Sequence, residues 1–126
     1  AQTLKAIKEA ESYDGPSLII AYAPCINHGV KAGMNKSMLE MKNAVRSGYW
    51  NLLRYNPALA DEGKNPLSID SGEANESFRD FIMGEVRYNS LKLKFPERAE
   101  ELFDKAEEMA KDRYETLLNR KKSMDN

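Results

Sequence analysis

A short apolar run from Ser17 to Ala23 constrains the fold more than any other feature of this chain. The turn-forming residues 14–16 precede the run, and Pro24 follows it. A nearly continuous apolar stretch of this length is typical of a strand that is buried on both faces of a parallel sheet. We therefore expect a buried strand over residues 17–23.

This strand would place Cys25 at the carboxyl end of a parallel sheet. In open α/β sheets, ligands and cofactors bind at that edge. The chain contains one cysteine, Cys25, and one histidine, His28. It therefore has no internal disulfide and no complete Cys/His metal site, so a metal bound at Cys25 would need further ligands from elsewhere.

On the residues alone, three interpretations of Cys25 stay open. It can be an inert, small hydrophobe near the sheet. It can be a nucleophile with His28 as its base, although their spacing in a glycine-flanked loop does not guarantee contact and no third orienting group is identifiable. It can also supply one thiolate to a metal cluster whose other ligands lie elsewhere. His28 itself, beside Asn27 and Gly29, is typical of a polar loop.

The rest of the pattern is mainly helical. We expect Met38, Met41 and Val45 to form the inner face of the second helix. In the third helix Gly84 is a weak point, costing about 1 kcal/mol relative to alanine. The predicted helices span residues 1–12, 37–47, 76–92 and 96–121; the apolar repeat of the third is Phe78, Phe81, Ile82, Glu85 and Val86, and that of the fourth is Ala99, Leu102, Phe103, Ala106, Ala110, Tyr114 and Leu117.

Two further strands are predicted over residues 49–55 and 67–70. The aromatic residues of the first are expected to pack in the core. With the strand at 17–23, the pattern predicts an α/β fold with a short, largely parallel sheet and flanking helices. Residues 1–56 carry 7 basic and 4 acidic side chains, whereas residues 57–126 carry 12 and 16, so we expect two regions that meet near residue 56.

Composition excludes several classes of function. The chain has 126 residues, 41% of them hydrophobic, and a net charge of -1, which gives no reason to expect a nucleic-acid partner. It has no apolar run near the roughly 20 residues that a bilayer needs, so we expect no membrane span, no signal peptide and a cytoplasmic location. Because it begins at Ala1 and is helical in pattern from Leu4, we expect a segment of a longer protein.

Across residues 4–118 the chain resembles the C-terminal part of the pyruvate:ferredoxin (flavodoxin) oxidoreductase family. The likeness begins in the run that contains Cys25 and continues in order through most of the sequence. The matching segments are residues 17–29, 31–37, 44–45, 47–50, 54–57, 63–66 and 95–97, which read SLIIAYAPCINHG, KAGMNKS, AV, SGYW, RYNP, GKNP and FPE.

The resemblance implies an activity for the intact enzyme. Members of the family are large homodimers that oxidatively decarboxylate pyruvate on thiamine diphosphate, held with Mg²⁺. They pass electrons through 4Fe-4S clusters to ferredoxin or flavodoxin and transfer the acetyl group to coenzyme A. Residues 1–56 then correspond to the end of the thiamine diphosphate-binding domain, and residues 57–126 to a mainly helical C-terminal region that packs on it.

The resemblance also implies a role for Cys25. It matches the remote fourth cysteine ligand of the cluster nearest to thiamine. The family's other ligands of that cluster and its diphosphate-Mg²⁺ motif are not in this sequence, so no further site residue is carried over, and the isolated chain is expected to be inactive. The alternative is a structural module that covers the thiamine domain or the dimer interface, with Cys25 incidental.

Overall fold

Helices dominate the computed structural model, which describes residues 1–125. A single 3-10 turn, Met34–Lys36, precedes the second helix. Within residues 1–125 no helix has both the length and the apolar character needed to cross a membrane. The elements are α1 (Gln2–Ser12), α2 (Ser37–Arg46), β1 (Leu53–Tyr55), α3 (Ala58–Asp61), β2 (Leu67–Ile69), α4 (Phe78–Gly84), α5 (Val86–Lys94) and α6 (Pro96–Ser123).

The sheet consists of β1 and β2, which lie within the two strands predicted over residues 49–55 and 67–70. They pair in antiparallel orientation, with Arg54 opposite Ser68. The prediction of a largely parallel sheet is therefore wrong. A parallel pair needs a crossover of about a dozen residues or more, usually with a full helix, whereas the connection here contains only the four-residue helix α3.

The predicted buried strand over residues 17–23 is absent. The segment lies outside the regular elements, and most of its apolar side chains face solvent: Leu18 is 84% exposed and Ile20 is 71% exposed, whereas Tyr22 packs against the core. A strand inside a sheet needs neighbouring strands for its backbone hydrogen bonds, and β1 and β2 pair only with each other. The sequence predicted that Cys25 lies at the edge of a parallel sheet. This prediction is wrong, because there is no parallel sheet among the described residues.

The hydrophobic core lies between α2, α4 and α6. The apolar repeat of the fourth predicted helix is confirmed for most of its members, although Leu102 is 38% exposed. Tyr49 and Trp50 pack against this core, as predicted for the aromatic residues of this segment, whereas the prediction is wrong for Tyr55, which is 58% exposed. The buried core residues are Ala44, Phe78, Phe81, Ile82, Ala99, Phe103 and Ala110.

Helix α2 directs a different face inward from the one predicted. Glu40 and Ala44, one helical turn apart, are its buried residues, whereas Met38 is 76% exposed. The prediction failed for Met38 because a hydrophobic pattern places apolar side chains inside and cannot anticipate a buried carboxylate. Met41 and Val45 are half-buried at the sides of the helix.

Helix α1 is attached by polar contacts and has no buried residue. The Arg54 guanidinium binds both carboxylate oxygens of Asp70, at 2.7 and 3.0 Å, and also pairs with Glu9 of α1. Gln2 donates to the same Asp70 carboxylate at 3.0 Å. The Arg54 guanidinium lowers the pKa of Asp70 to about 2.

The helix predicted over residues 76–92 is interrupted at Glu85. Glu85 adopts an extended conformation, with φ of -84° and ψ of 117°, and separates α4 from α5. Its backbone forms an antiparallel bridge with Val30. Gly84, the predicted weak point, lies directly before this break, which we call the α4–α5 break and define as residues 84–86.

We predict that Gly84→Ala destabilises the chain, although alanine favours helix by about 1 kcal/mol. A Cβ atom at residue 84 would lie 2.6 Å from the buried Glu40 Oε1. Such overpacking typically costs about 1–3 kcal/mol. Urea unfolding should show the loss, and in a Glu40→Ala background the same substitution should lose its penalty.

Gly72→Ala is the matched control, because no atom lies within 4 Å of a Cβ at that position. It should change the free energy of unfolding by no more than about 0.5 kcal/mol. Equal stability of the Gly84→Ala and wild-type chains would contradict the close approach of Glu40.

Candidate functional site

Cys25 lies at the start of a tight turn that we call the Cys25 loop, residues 24–31. Pro24 is buried and Cys25 is half-buried. The Gly29 N–H closes the turn by donating to the Cys25 carbonyl at 2.8 Å. Gly29 has a φ of 82°, a conformation that residues with a side chain rarely adopt. The sequence therefore forms a tight, glycine-dependent turn immediately after Cys25.

The loop brings Cys25 and His28 into contact. The Cys25 Sγ lies 3.2 Å from the His28 Nδ1. The backbone N–H of His28, then its ring and the backbone N–H of Asn27, stabilise the thiolate and lower the pKa of Cys25 to about 7. A sizeable fraction of the thiol is therefore ionised near neutral pH, which suits both metal binding and nucleophilic attack.

A catalytic triad does not follow from this contact. Among residues 1–125, Cys25 is the side chain that His28 contacts by a hydrogen bond, and no carboxylate orients the ring from its other side. A complete metal site does not follow either: no group of three or more His, Cys, Asp or Glu side chains in the described part of the chain could hold an ion. Cys25 can thus serve as one ligand beside others from outside these residues.

The Cys25 loop is attached to the α4–α5 break by backbone hydrogen bonds. The Lys31 N–H donates to the Gly84 carbonyl at 2.8 Å, and the Val86 N–H donates to the Gly29 carbonyl at 3.2 Å. These bonds use groups that a continuous helix would satisfy internally. The break therefore supplies the backbone partners for the far end of the loop.

A side-chain contact attaches the near end. The Tyr22 hydroxyl donates to Glu85 Oε1. The Tyr22 ring lies among aromatic neighbours, with centroid distances of 5.6 Å to Tyr49, 5.8 Å to Trp50 and 6.5 Å to Phe81. Burial and the Glu85 carboxylate raise the pKa of Tyr22, so the hydroxyl keeps its proton and acts as the donor.

Two carboxyl groups are buried beneath this attachment. Glu85 is 1% exposed and Glu40 is 8% exposed. The Oε1 atom of Glu40 has no hydrogen-bond partner among the described residues. Burial, followed by the charge of Glu85, raises the pKa of Glu40.

Sequence reasoning identified Cys25 and His28 but assigned no functional role to Tyr22, Glu40 or Glu85. One signal was present in the sequence, because Glu85 occupies an apolar position in the helical repeat of residues 78–86. A charged residue at such a position is expected to be paired or functional when it is buried. Tyr22 gave no comparable signal, since it lies inside the apolar run.

Comparison with known proteins gives high similarity to larger oxidoreductases. The chain is 63% identical over 115 residues to the pyruvate:ferredoxin oxidoreductase of Moorella thermoacetica, a match that covers 91% of the chain. It is 58% identical over 113 residues, or 90% of the chain, to the pyruvate-flavodoxin oxidoreductase of Klebsiella pneumoniae. A mitochondrial pyruvate dehydrogenase (NADP+) of Euglena gracilis is 48% identical over 100 residues, 79% of the chain and 6% of its own length. No family model matches the chain.

The chain spans about one tenth of the first two relatives, 10% of each. The identities confirm the resemblance to the pyruvate:ferredoxin (flavodoxin) oxidoreductases. The chain matches one short segment of these larger enzymes.

We predict that iodoacetamide alkylates Cys25 with an apparent pKa of about 7. His28→Ala removes the ring but keeps the backbone N–H groups, so the apparent pKa should rise and still stay below the ordinary value of 9.0. The measurement is the alkylation rate as a function of pH, followed by mass spectrometry. An identical pH profile for His28→Ala and the wild-type chain would contradict the contribution of the ring.

Proposed function

We propose that this chain is the C-terminal part of a pyruvate:ferredoxin (flavodoxin) oxidoreductase. The intact enzyme oxidatively decarboxylates pyruvate, passes the electrons through 4Fe-4S clusters to ferredoxin or flavodoxin, and transfers the acetyl group to coenzyme A. The identity of 63% over 91% of the chain is the observation that carries this proposal. The relatives that match this segment carry different electron acceptors in their names: ferredoxin, flavodoxin and NADP+. The segment therefore does not determine which electron acceptor the enzyme uses.

Within that enzyme we propose that Cys25 is a ligand of the cluster nearest to thiamine diphosphate. Three properties support this role: the thiol is accessible, its pKa is lowered to about 7, and its loop is attached on both sides to the helical core. Iron-sulfur clusters are bound by cysteine thiolates, and a low pKa favours the form that binds. When bound, the cluster supplies one-electron transfer, and Cys25 holds it in place.

The remaining cluster ligands, thiamine diphosphate and Mg²⁺ belong in this proposal to other parts of the enzyme. Residues 1–56 form the end of the thiamine diphosphate-binding domain, and residues 57–126 form the helical region that packs on it. The intact enzyme is a cytoplasmic homodimer, and the 126-residue chain alone has no activity.

A second candidate function is that of an interaction module that covers the thiamine domain or its dimer neighbour. The observation that favours it is the concentration of exposed apolar side chains in the first 39 residues. These are Leu4, Ile7, Leu18, Ile19, Ile20, Ile26, Met34, Met38 and Leu39, each at least 39% exposed. The two functions are compatible, and they differ in whether Cys25 is needed.

We predict that Cys25→Ala in the full-length enzyme removes one cluster, about four iron atoms per protomer. Electron transfer from pyruvate to a viologen dye should slow, while pyruvate binding stays nearly unchanged. Iron analysis, the electron paramagnetic resonance spectrum of the reduced enzyme and the dye assay measure these effects. Asn27→Ala is the matched control, because this exposed neighbour lowers the pKa of Cys25 through its backbone only.

Unchanged iron content and turnover in Cys25→Ala would reject the ligand role and leave the interaction module. Pyruvate-dependent reduction of the dye by the pure 126-residue chain would reject the proposal that the chain is inactive alone.

A further inference from the structure

The segments on both sides of Cys25 are attached to the α4–α5 break. Tyr22, three residues before Cys25, donates to the Glu85 side chain. On the other side of Cys25, Gly29 and Lys31 bond to the backbone on either side of Glu85, at 3.2 and 2.8 Å. Both attachments therefore involve the α4–α5 break, with Glu85 at its centre.

Glu85 is buried next to a second carboxyl group, and neither has an ion-pair partner among the described residues, although the charge of Arg87 interacts with Glu85. Within residues 1–125 neither Glu40 nor Glu85 forms an ion pair. Arg87 is nearby, but its guanidinium donates to the hydroxyls of Tyr49, at 2.7 Å, and Tyr88, at 3.1 Å. The titratable groups around the two carboxyls are Tyr22, Tyr49, Tyr88 and Arg87, with Glu76 and Asp80 lining the groove beside Glu40.

Two adjacent buried carboxyls without an ion-pair partner cannot both be ionised at low cost. Glu85 accepts the hydrogen bond from Tyr22, whereas Glu40 Oε1 has no partner. A charge at the unpartnered Glu40 Oε1 is therefore costly, and burial together with the charge of Glu85 raises the pKa of Glu40.

We propose that Glu85 is a positioning residue for Cys25, which fixes both ends of the Cys25 loop, and that a proton on Glu40 is required for this attachment. The relevance to catalysis rests on the proposed role of Cys25 as a cluster ligand. The attachment of the loop to Glu85 does not rest on that role, because it is a property of the 126-residue chain without iron.

The pH dependence has a defined direction. Burial and the charge of Glu85 raise the pKa of Glu40 above its unfolded-state value. A group of this kind contributes stability that is fully present below its unfolded-state pKa and is lost as the pH rises through its folded-state pKa. The Cys25 loop should therefore loosen as the pH rises.

Amide hydrogen exchange of the iron-free chain, measured by NMR over a range of pH, tests this proposal. The reporting amides are those of Gly29, Lys31 and Val86, and each rate is divided by the chemical exchange rate at the same pH. In the wild-type chain their protection should fall as Glu40 ionises. Both Glu40→Gln and Glu85→Gln should remove this dependence, because either change leaves at most one charge in the pair.

Removing the Glu85 carboxyl group should open the loop even at acidic pH. In Glu85→Ala the same amides should lose about tenfold to a hundredfold in protection, the usual effect of losing a hydrogen bond to a charged group. The amides of α6 serve as an internal reference for folding. If Glu85→Ala does not fold, Tyr22→Phe replaces it, because that change removes only the donor hydroxyl and should also lower protection.

Glu108→Gln is the control for charge removal, because Glu108 is exposed on α6. It should keep the wild-type pH dependence. The proposal is overturned if protection in the wild-type chain does not change with pH, if Glu40→Gln keeps the wild-type dependence, or if the folded Glu85→Ala chain, or Tyr22→Phe in its place, is as protected as the wild type.

Failure of this proposal is distinguishable from failure of the ligand role. The exchange experiment uses no iron, and the iron content of Cys25→Ala does not report on Glu85. If the protection of the reporting amides is unchanged in Glu85→Ala while Cys25→Ala loses iron, the positioning role alone is rejected. If Glu85→Ala loses protection while Cys25→Ala keeps its iron content, the ligand role alone is rejected.

Discussion

The extended conformation of Glu85 is the constraint on which the arrangement of this chain depends. It ends α4 and begins α5, so that the Gly84 carbonyl and the Val86 N–H bond to the Cys25 loop instead of to a neighbouring helical turn. It also directs the Glu85 side chain into the interior, where it accepts the Tyr22 hydrogen bond. A continuous helix over these residues would leave the loop without its partners. The break therefore connects the helical core to the loop of Cys25, the proposed cluster ligand.

The two ends of the chain differ in how completely they are packed. Helices α4 and α6 bury a connected set of aromatic and aliphatic side chains, with Ile82 1% and Phe103 3% exposed. The N-terminal part has a helix with no buried residue, which is attached through Arg54 and Asp70, and an apolar segment, residues 18–21, that faces solvent. Exposed apolar surface of this kind marks an interaction site. In the proposed full-length enzyme, the remainder of the protein covers this surface. The helical core then serves as a support that presents Cys25 to the rest of the enzyme.

Sequence reasoning succeeded where local periodicity decides the structure. Pro96 and the apolar stripe through Ala99 and Phe103 predicted the 28-residue helix α6 almost to its ends. The strand prediction failed for residues 17–23. An apolar run indicates a segment that packs against another surface, but it does not indicate whether that surface belongs to the same chain. Sequence reasoning also failed at the α4–α5 break, because the decisive partners, Glu40 and the Cys25 loop, are distant in sequence. The Cys25–His28 contact was left open because it depends on the conformation of the turn that Gly29 closes.

Hydrogen exchange in two contexts tests most directly the central claim, that this chain is a stable support with an apolar segment covered by the remainder of its enzyme. The amides of residues 18–23 should exchange fast in the 126-residue chain and slowly in the full-length oxidoreductase, because only the larger protein supplies a covering surface. The amides of α6 should be protected in both. Equal and slow exchange of residues 18–23 in the two proteins would contradict the account, because it would mean that the segment is already covered within this chain.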